Sequence, residues 1–151
     1  METLNLKFKG WRLQLSPKFG ACILRCSFNG YDILRSVEPN WKYTHDPMLT
    51  SYFPLVPYSN RIANGQFKWK NKSFNLNPNH SGQKFPLHGI GWLSEWAVKD
   101  IKENSCTLEY KHIEGDWPWP FLVRQKIVLE DSSIKIILTL KNTGEKIMPS
   151  G

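Results

Sequence analysis

At 151 residues with 40% hydrophobic side chains, the chain suits one globular domain and is too apolar for disorder. Its formal charge of +7 would suit a polyanionic partner. The lysines are scattered, however, and no recognition-helix, zinc-finger or ribonucleoprotein pattern goes with them, so nucleic-acid binding is not expected.

No stretch approaches the roughly 18 apolar residues of a membrane span, which argues against a membrane partner. The N-terminus, Met1-Glu2-Thr3-Leu4-Asn5, lacks the basic-then-apolar order of a signal peptide. Cys22, Cys26 and Cys106 form no C-x-x-C pair, and no His lies at ligand spacing from them, so no metal site is expected. Cys22 and Cys26 are expected on one face of a strand, too far apart along it to bridge easily. Buried free thiols fit a reducing, cytoplasmic location.

Alternation of apolar and polar residues dominates from the start of the chain. Trp11, Leu13 and Leu15 alternate with Arg12 and Gln14, and Ala21-Cys22-Ile23-Leu24 begins a second apolar run. Asn29-Gly30, between Phe28 and Tyr31-Asp32-Ile33-Leu34, is a strong hairpin signal. Residues 39–57 lack alternation and read as a long irregular loop. Phe67 and Trp69, then Phe74 and Leu76, flank a turn at Lys70-Asn71-Lys72. The basic stretch from Lys68 to Lys72 alternates with Trp69 and Asn71, as one solvated strand face would.

Residues 77–91, rich in Asn, Pro, Ser and Gly, form a second long loop, and loops of this length are usually functional or disordered. Trp96 to Glu103 fits a short helix or a strand. Cys106, Leu108 and Tyr110 alternate with Thr107, Glu109 and Lys111. Phe121, Val123, Ile127 and Leu129 share a face, Asp131-Ser132 turns the chain, and Ile134, Ile136, Leu138 and Leu140 complete the pair. Short strands with turns between them predict one all-β domain over 1–151, an antiparallel β-sandwich.

Two polar clusters stand beside the long loops. The first is Phe53-Pro54-Leu55-Val56-Pro57-Tyr58-Ser59-Asn60-Arg61-Ile62-Ala63-Asn64-Gly65-Gln66-Phe67, and the second Phe85-Pro86-Leu87-His88-Gly89-Ile90-Gly91-Trp92. Arg61 offers five donors in a fixed fork, suited to adjacent hydroxyls or a carboxylate, or to tying down its own loop. Asn60 suits the same ligand or a turn cap. His88 donates or accepts near neutral pH, and Gly89 lets the backbone approach a ligand; the other reading is a His satisfied by a backbone carbonyl. His45, His80 and His112 read as surface or loop residues. Trp92 and Trp96 fit a sugar-stacking wall or the core. Phosphate-binding glycine loops and serine nucleophile elbows are absent.

In this order, the Asn60-Arg61-Ile62…Gly65-Gln66-Phe67 element and the His88-Gly89 element resemble the N-terminal half of the aldose 1-epimerase (galactose mutarotase-like) family. Trp117-Pro118-Trp119-Pro120 resembles a rigid lead-in to a strand in that family. The resemblance implies about half of a mutarotase-like supersandwich. It also implies cofactor-free interconversion of the α and β anomers of a free hexose, with Asn60, Arg61 and His88 as sugar contacts. Mutarotation needs a general base at the anomeric hydroxyl and a general acid at the ring oxygen.

The family's acid, a His in a His-Pro-Tyr-Phe element, and its base, a Glu near the C-terminus, would both follow the segment ending at Gly151. No catalytic residue is therefore assigned, and Glu95, Glu109, Glu114 and Glu130 lack the family's Glu context. The expectation is a substrate-gripping half, inactive by itself, from a fragment, a split gene or a short paralogue kept for binding. Alternatives are a non-catalytic carbohydrate-binding module and a hexose-phosphate mutarotase homologue. Half of a sandwich leaves strand edges open, which implies self-association or a complementing C-terminal half.

Overall fold

The computed structural model describes residues 2–151. The expected antiparallel β architecture is what they form. Four strands, β1 (Leu4–Phe8), β2 (Trp11–Ser16), β3 (Cys22–Phe28) and β4 (Tyr31–Leu34), make one meander in the order β1-β2-β3-β4. A single helical turn, α1 (Trp41–Thr44), follows. The small hairpin of β5 (Gln66–Trp69) and β6 (Lys72–Asn75) stands apart. The second four-stranded sheet runs β10-β9-β8-β7, from β7 (Ala97–Lys102), β8 (Ser105–His112), β9 (Phe121–Leu129) and β10 (Ile134–Asn142). The ambiguous Trp96–Glu103 stretch is thus a strand, because pairing with β8 satisfies its backbone. No helix among the described residues is long and apolar enough to cross a membrane.

The core lies between the two large sheets. Period-2 alternation sends Leu4, Leu6, Trp11, Leu13 and Leu15 inward from one sheet. Phe121, Val123, Ile127 and Leu129 meet them from β9, and each fully buried side chain of this size stabilises the fold by about 1.5–3 kcal/mol. One polar residue joins that face. Gln125 is completely buried, with its Nε2 donating to the Ala21 carbonyl (3.1 Å) and its Oε1 accepting from the Tyr52 hydroxyl (3.0 Å). Both ends of the amide are satisfied, which makes its burial tolerable.

Two expectations from the strand pattern are corrected by register, and one histidine by its burial. Cys22 and Cys26 do not share a face. The β2–β3 ladder pairs Leu15 with Ile23 and Gln14 with Arg25, leaving Leu24 as an extra residue. This bulge shifts the parity, so Cys22 and Leu24 pack on Trp41 outside the sheet while Ile23 and Cys26 enter the main core.

The lysines from Lys68 to Lys72 do not line one face either. The hairpin pairs Lys68 with Ser73 and Trp69 with Lys72 across a Lys70-Asn71 turn, where both residues have positive φ. Lys72 consequently shares the face of Trp69, opposite that of Lys68. His112 is neither a surface nor a loop residue: it is buried at the end of β8, its Nε2 2.7 Å from the Trp117 carbonyl.

The tetrad Trp117, Trp119, Phe67 and Phe74 binds the hairpin to the second sheet, with ring centroids 4.7–6.3 Å apart. On the other side of that sheet's order, β10 pairs with β9 alone. Its inward positions follow the buried residues of β9, Ile134 opposite Leu129 and Leu138 opposite Gln125, yet Leu138 remains 40% exposed.

Candidate functional site

The two loop clusters meet through a pair of isolated bridges. Arg61 bridges Leu87 in antiparallel fashion, and Val56 bridges Gly89 in parallel. The backbone then makes a reciprocal contact: the His88 N–H donates to the Asn60 carbonyl at 2.9 Å, and the Asn60 N–H donates to His88 Nδ1 at 2.9 Å. Asn60 Oδ1 accepts from the Arg61 N–H at 2.9 Å, so its side chain caps the turn. Asn60, Arg61 and His88 are therefore brought together.

His88 and Gly89 both have positive φ, 57° and 67°. For His88 this backbone is uncommon and has to be held in place. The carbonyls on either side supply the hold. Asn79 Nδ2 donates to the Leu87 and Gly89 carbonyls (2.8 and 2.6 Å), and Trp92 Nε1 reaches the same two oxygens (3.0 and 3.1 Å). Asn79 Oδ1 also accepts from the Leu87 N–H at 2.8 Å. A Cβ on Gly89 would collide with the Val56 carbonyl oxygen, so this position needs glycine for space as well as for φ.

These contacts decide the chemistry of His88. With Nδ1 accepting from a backbone N–H, the neutral ring carries its proton on Nε2, which is left as a donor. Partial burial, and then the neighbouring Arg61 guanidinium, hold the imidazole below its ordinary pKa. Arg61 places Nε and Nη2 against Gln83 Oε1, at 3.3 and 2.9 Å. Two of its five donors are so used, and the remaining three are available to a ligand. Arg61 thus ties its own cluster to the second loop and still offers a fork.

A shallow depression of about 510 Å³ opens beside His88, lined also by Ser51, Tyr52, Phe53, Pro54 and Leu138. Arg61 does not line it. Trp92 and Trp96 are core residues, buried to 0% and 2% exposure, and offer no free face for stacking. The aromatic edge available beside His88 is Phe53, whose ring lies 5.9 Å from the imidazole and stacks on Trp92 at 5.3 Å. His80 joins the neighbourhood with Nε2 3.2 Å from Asp46 Oδ1 and its ring 5.2 Å from Trp92, tying the 39–57 loop to the 77–91 loop. Among the described residues no three His, Cys, Asp or Glu side chains gather as a metal would require.

The family model for aldose 1-epimerase matches residues 8–151. The chain belongs to the aldose 1-epimerase family. Among curated relatives, the aldose 1-epimerase of Haemophilus influenzae is 30% identical over 134 residues, covering 84% of this chain and 38% of that protein. The uncharacterized protein YphB of Escherichia coli K12 is 34% identical over 101 residues, 67% of this chain and 34% of its own length.

The crystal structure of a putative aldose 1-epimerase from the same organism superposes with a TM-score of 0.88 at 28% identity, covering 98% of this chain and 48% of that one. A galactose mutarotase-like protein from Clostridium acetobutylicum shares the fold, with a TM-score of 0.80 at 19% identity over 98% of this chain and 48% of its own. The chain thus spans less than half the length of these two curated relatives and about half that of the solved structures.

Sequence reasoning missed Asn79 and Phe53 around the His88 turn. Phe53-Pro54 opens the first cluster, so position gave a signal for Phe53. For Asn79 the only signal was a polar residue in a long loop, because its partners are backbone carbonyls eight and ten residues away.

Proposed function

We propose that this chain forms the sugar-gripping side of an aldose 1-epimerase site, acting on a free hexose without a cofactor. The observation that carries the reading is the locked His88 turn, which presents a neutral imidazole with Nε2 as donor beside an Arg61 fork with three unused N–H groups. Such donors suit the oxygens of a pyranose, and a depression of about 510 Å³ accommodates one ring. Asn60 contributes by fixing the turn. Ring opening further requires a general acid at the ring oxygen and a general base at the anomeric hydroxyl. In this reading those two groups come from residues outside the 151, carried by a polypeptide segment that also covers the open edge and half-exposed inner face of β10.

Calorimetry with D-galactose and D-glucose, together with polarimetry on freshly dissolved α anomers, tests the proposal. The expected result is binding that is lost in Arg61→Ala, with no acceleration of anomerisation by the 151-residue chain alone. Anomerisation by the isolated chain would overturn the division of labour. Failure to bind any hexose would overturn the reading altogether.

A further inference from the structure

A second concavity lies away from the His88 turn and shares no lining residue with its depression. It measures about 470 Å³ and sits between the β5–β6 hairpin and residues 145–147. Trp69, Phe74 and Trp119 form its apolar walls. The strap across it is fixed by Trp69 Nε1, which donates to the Ile147 carbonyl at 3.2 Å.

Charge is placed there with the same economy. Lys72 faces the cleft because the two-residue turn puts it directly opposite Trp69, on the aromatic face of the hairpin. Lys70 at the turn and Lys146 on the strap complete three cations, against one carboxylate, Glu145. None of these four side chains has a hydrogen-bonded or ionic partner among the described residues. A surplus of unpaired cations beside aromatic walls selects an anion attached to a body with a flat apolar side. Glu145 narrows the choice: a carboxylate only accepts, so the body must bring donors such as adjacent hydroxyls.

We propose that this cleft binds a pyranose bearing one anionic group, a phosphate or a carboxylate, as a site separate from the His88 turn. The C–H face of the ring lies on Trp69 and Phe74, the anion meets Lys72 and Lys146, and Glu145 accepts from ring hydroxyls.

The test titrates glucose 6-phosphate, glucuronate and glucose into the Arg61→Ala protein, in which the first sugar site is disabled, following the Trp69 indole N–H by NMR. Both anionic sugars are expected to shift that resonance and to bind at least about tenfold more tightly than glucose. The preference of phosphate over carboxylate identifies the anion. Lys72→Gln and Lys146→Gln, which keep the length and polarity of the side chains, are each expected to weaken binding several-fold. Equal affinity for glucose and its phosphate would overturn the proposal. So would an unshifted Trp69 resonance, unchanged affinity in Lys72→Gln, or equally tight binding of inorganic phosphate alone.

Discussion

His88 and Asn60 are joined in both directions, the His88 N–H to the Asn60 carbonyl and the Asn60 N–H to His88 Nδ1, each at 2.9 Å. The second of these bonds exists only while Nδ1 is unprotonated. Together with burial and the nearby Arg61 charge, it makes folding favour the neutral ring. A group whose folded pKa is depressed binds fewer protons in the native state than in the unfolded one. Its stabilising contribution is therefore present above the ordinary histidine value of about 6.5 and is lost as pH falls through that value toward the lower folded pKa. NMR titration of the His88 ring should give a midpoint below 6.5, and the acid-side loss of stability should be smaller in His88→Gln. A midpoint at or above the ordinary value would contradict this account.

Asn79 holds the same turn from beneath through three hydrogen bonds. Asn79→Ala strands the Leu87 N–H, which belongs to a buried residue, and removes a donor from two carbonyls. The expected cost is about 1–3 kcal/mol in urea unfolding, with weakened hexose binding because His88 loses its fixed backbone. Unchanged stability would show that Trp92 Nε1 alone suffices to hold both carbonyls.

Tyr52 and Gln125 make a second testable pair. Tyr52→Phe leaves Gln125 Oε1 buried without its partner at 3.0 Å, and should destabilise the protein by about 1–3 kcal/mol. Tyr52→Phe combined with Gln125→Leu should cost less than the sum of the single changes, since the orphaned acceptor is gone. Strict additivity in that cycle would mean that the two side chains do not interact.

The three thiols are free and buried. Burial pushes Cys22 up to about 12 and Cys106 up to about 11, and it raises Cys26 as well. Because the thiolate is the reactive form, native protein at pH 8 should resist thiol reagents, and all three groups should react once the chain is unfolded. Rapid labelling of any one in the native state would place it outside the core.

The β10 edge runs for nine residues with no strand on its outer side, and Leu138 and Ile137 are exposed. Open apolar edges recruit other strands, so the isolated chain is expected to associate with rising concentration in light scattering. Leu138→Lys should shift it toward the 17.6 kDa monomer. A monodisperse monomer of the unmodified chain would remove the argument for a covering strand.

Most of the strands and the hairpin turns are legible in the chain itself. Alternation such as Phe121-Val123-Ile127-Leu129 and turn pairs such as Asn29-Gly30 act within a few residues, where chemistry is readable along the chain. Tertiary structure decided which way individual side chains face. One extra residue at Leu24 separates Cys22 from Cys26 onto opposite faces, and one two-residue turn brings Lys72 onto the face of Trp69. Because side chains in a strand alternate with a period of two, a single-residue shift in register inverts a face, and register is set by the partner strand. The same holds for Asn79, Phe53 and Trp92. Their roles around His88 depend on loops packed against one another over distances the chain's local pattern does not encode.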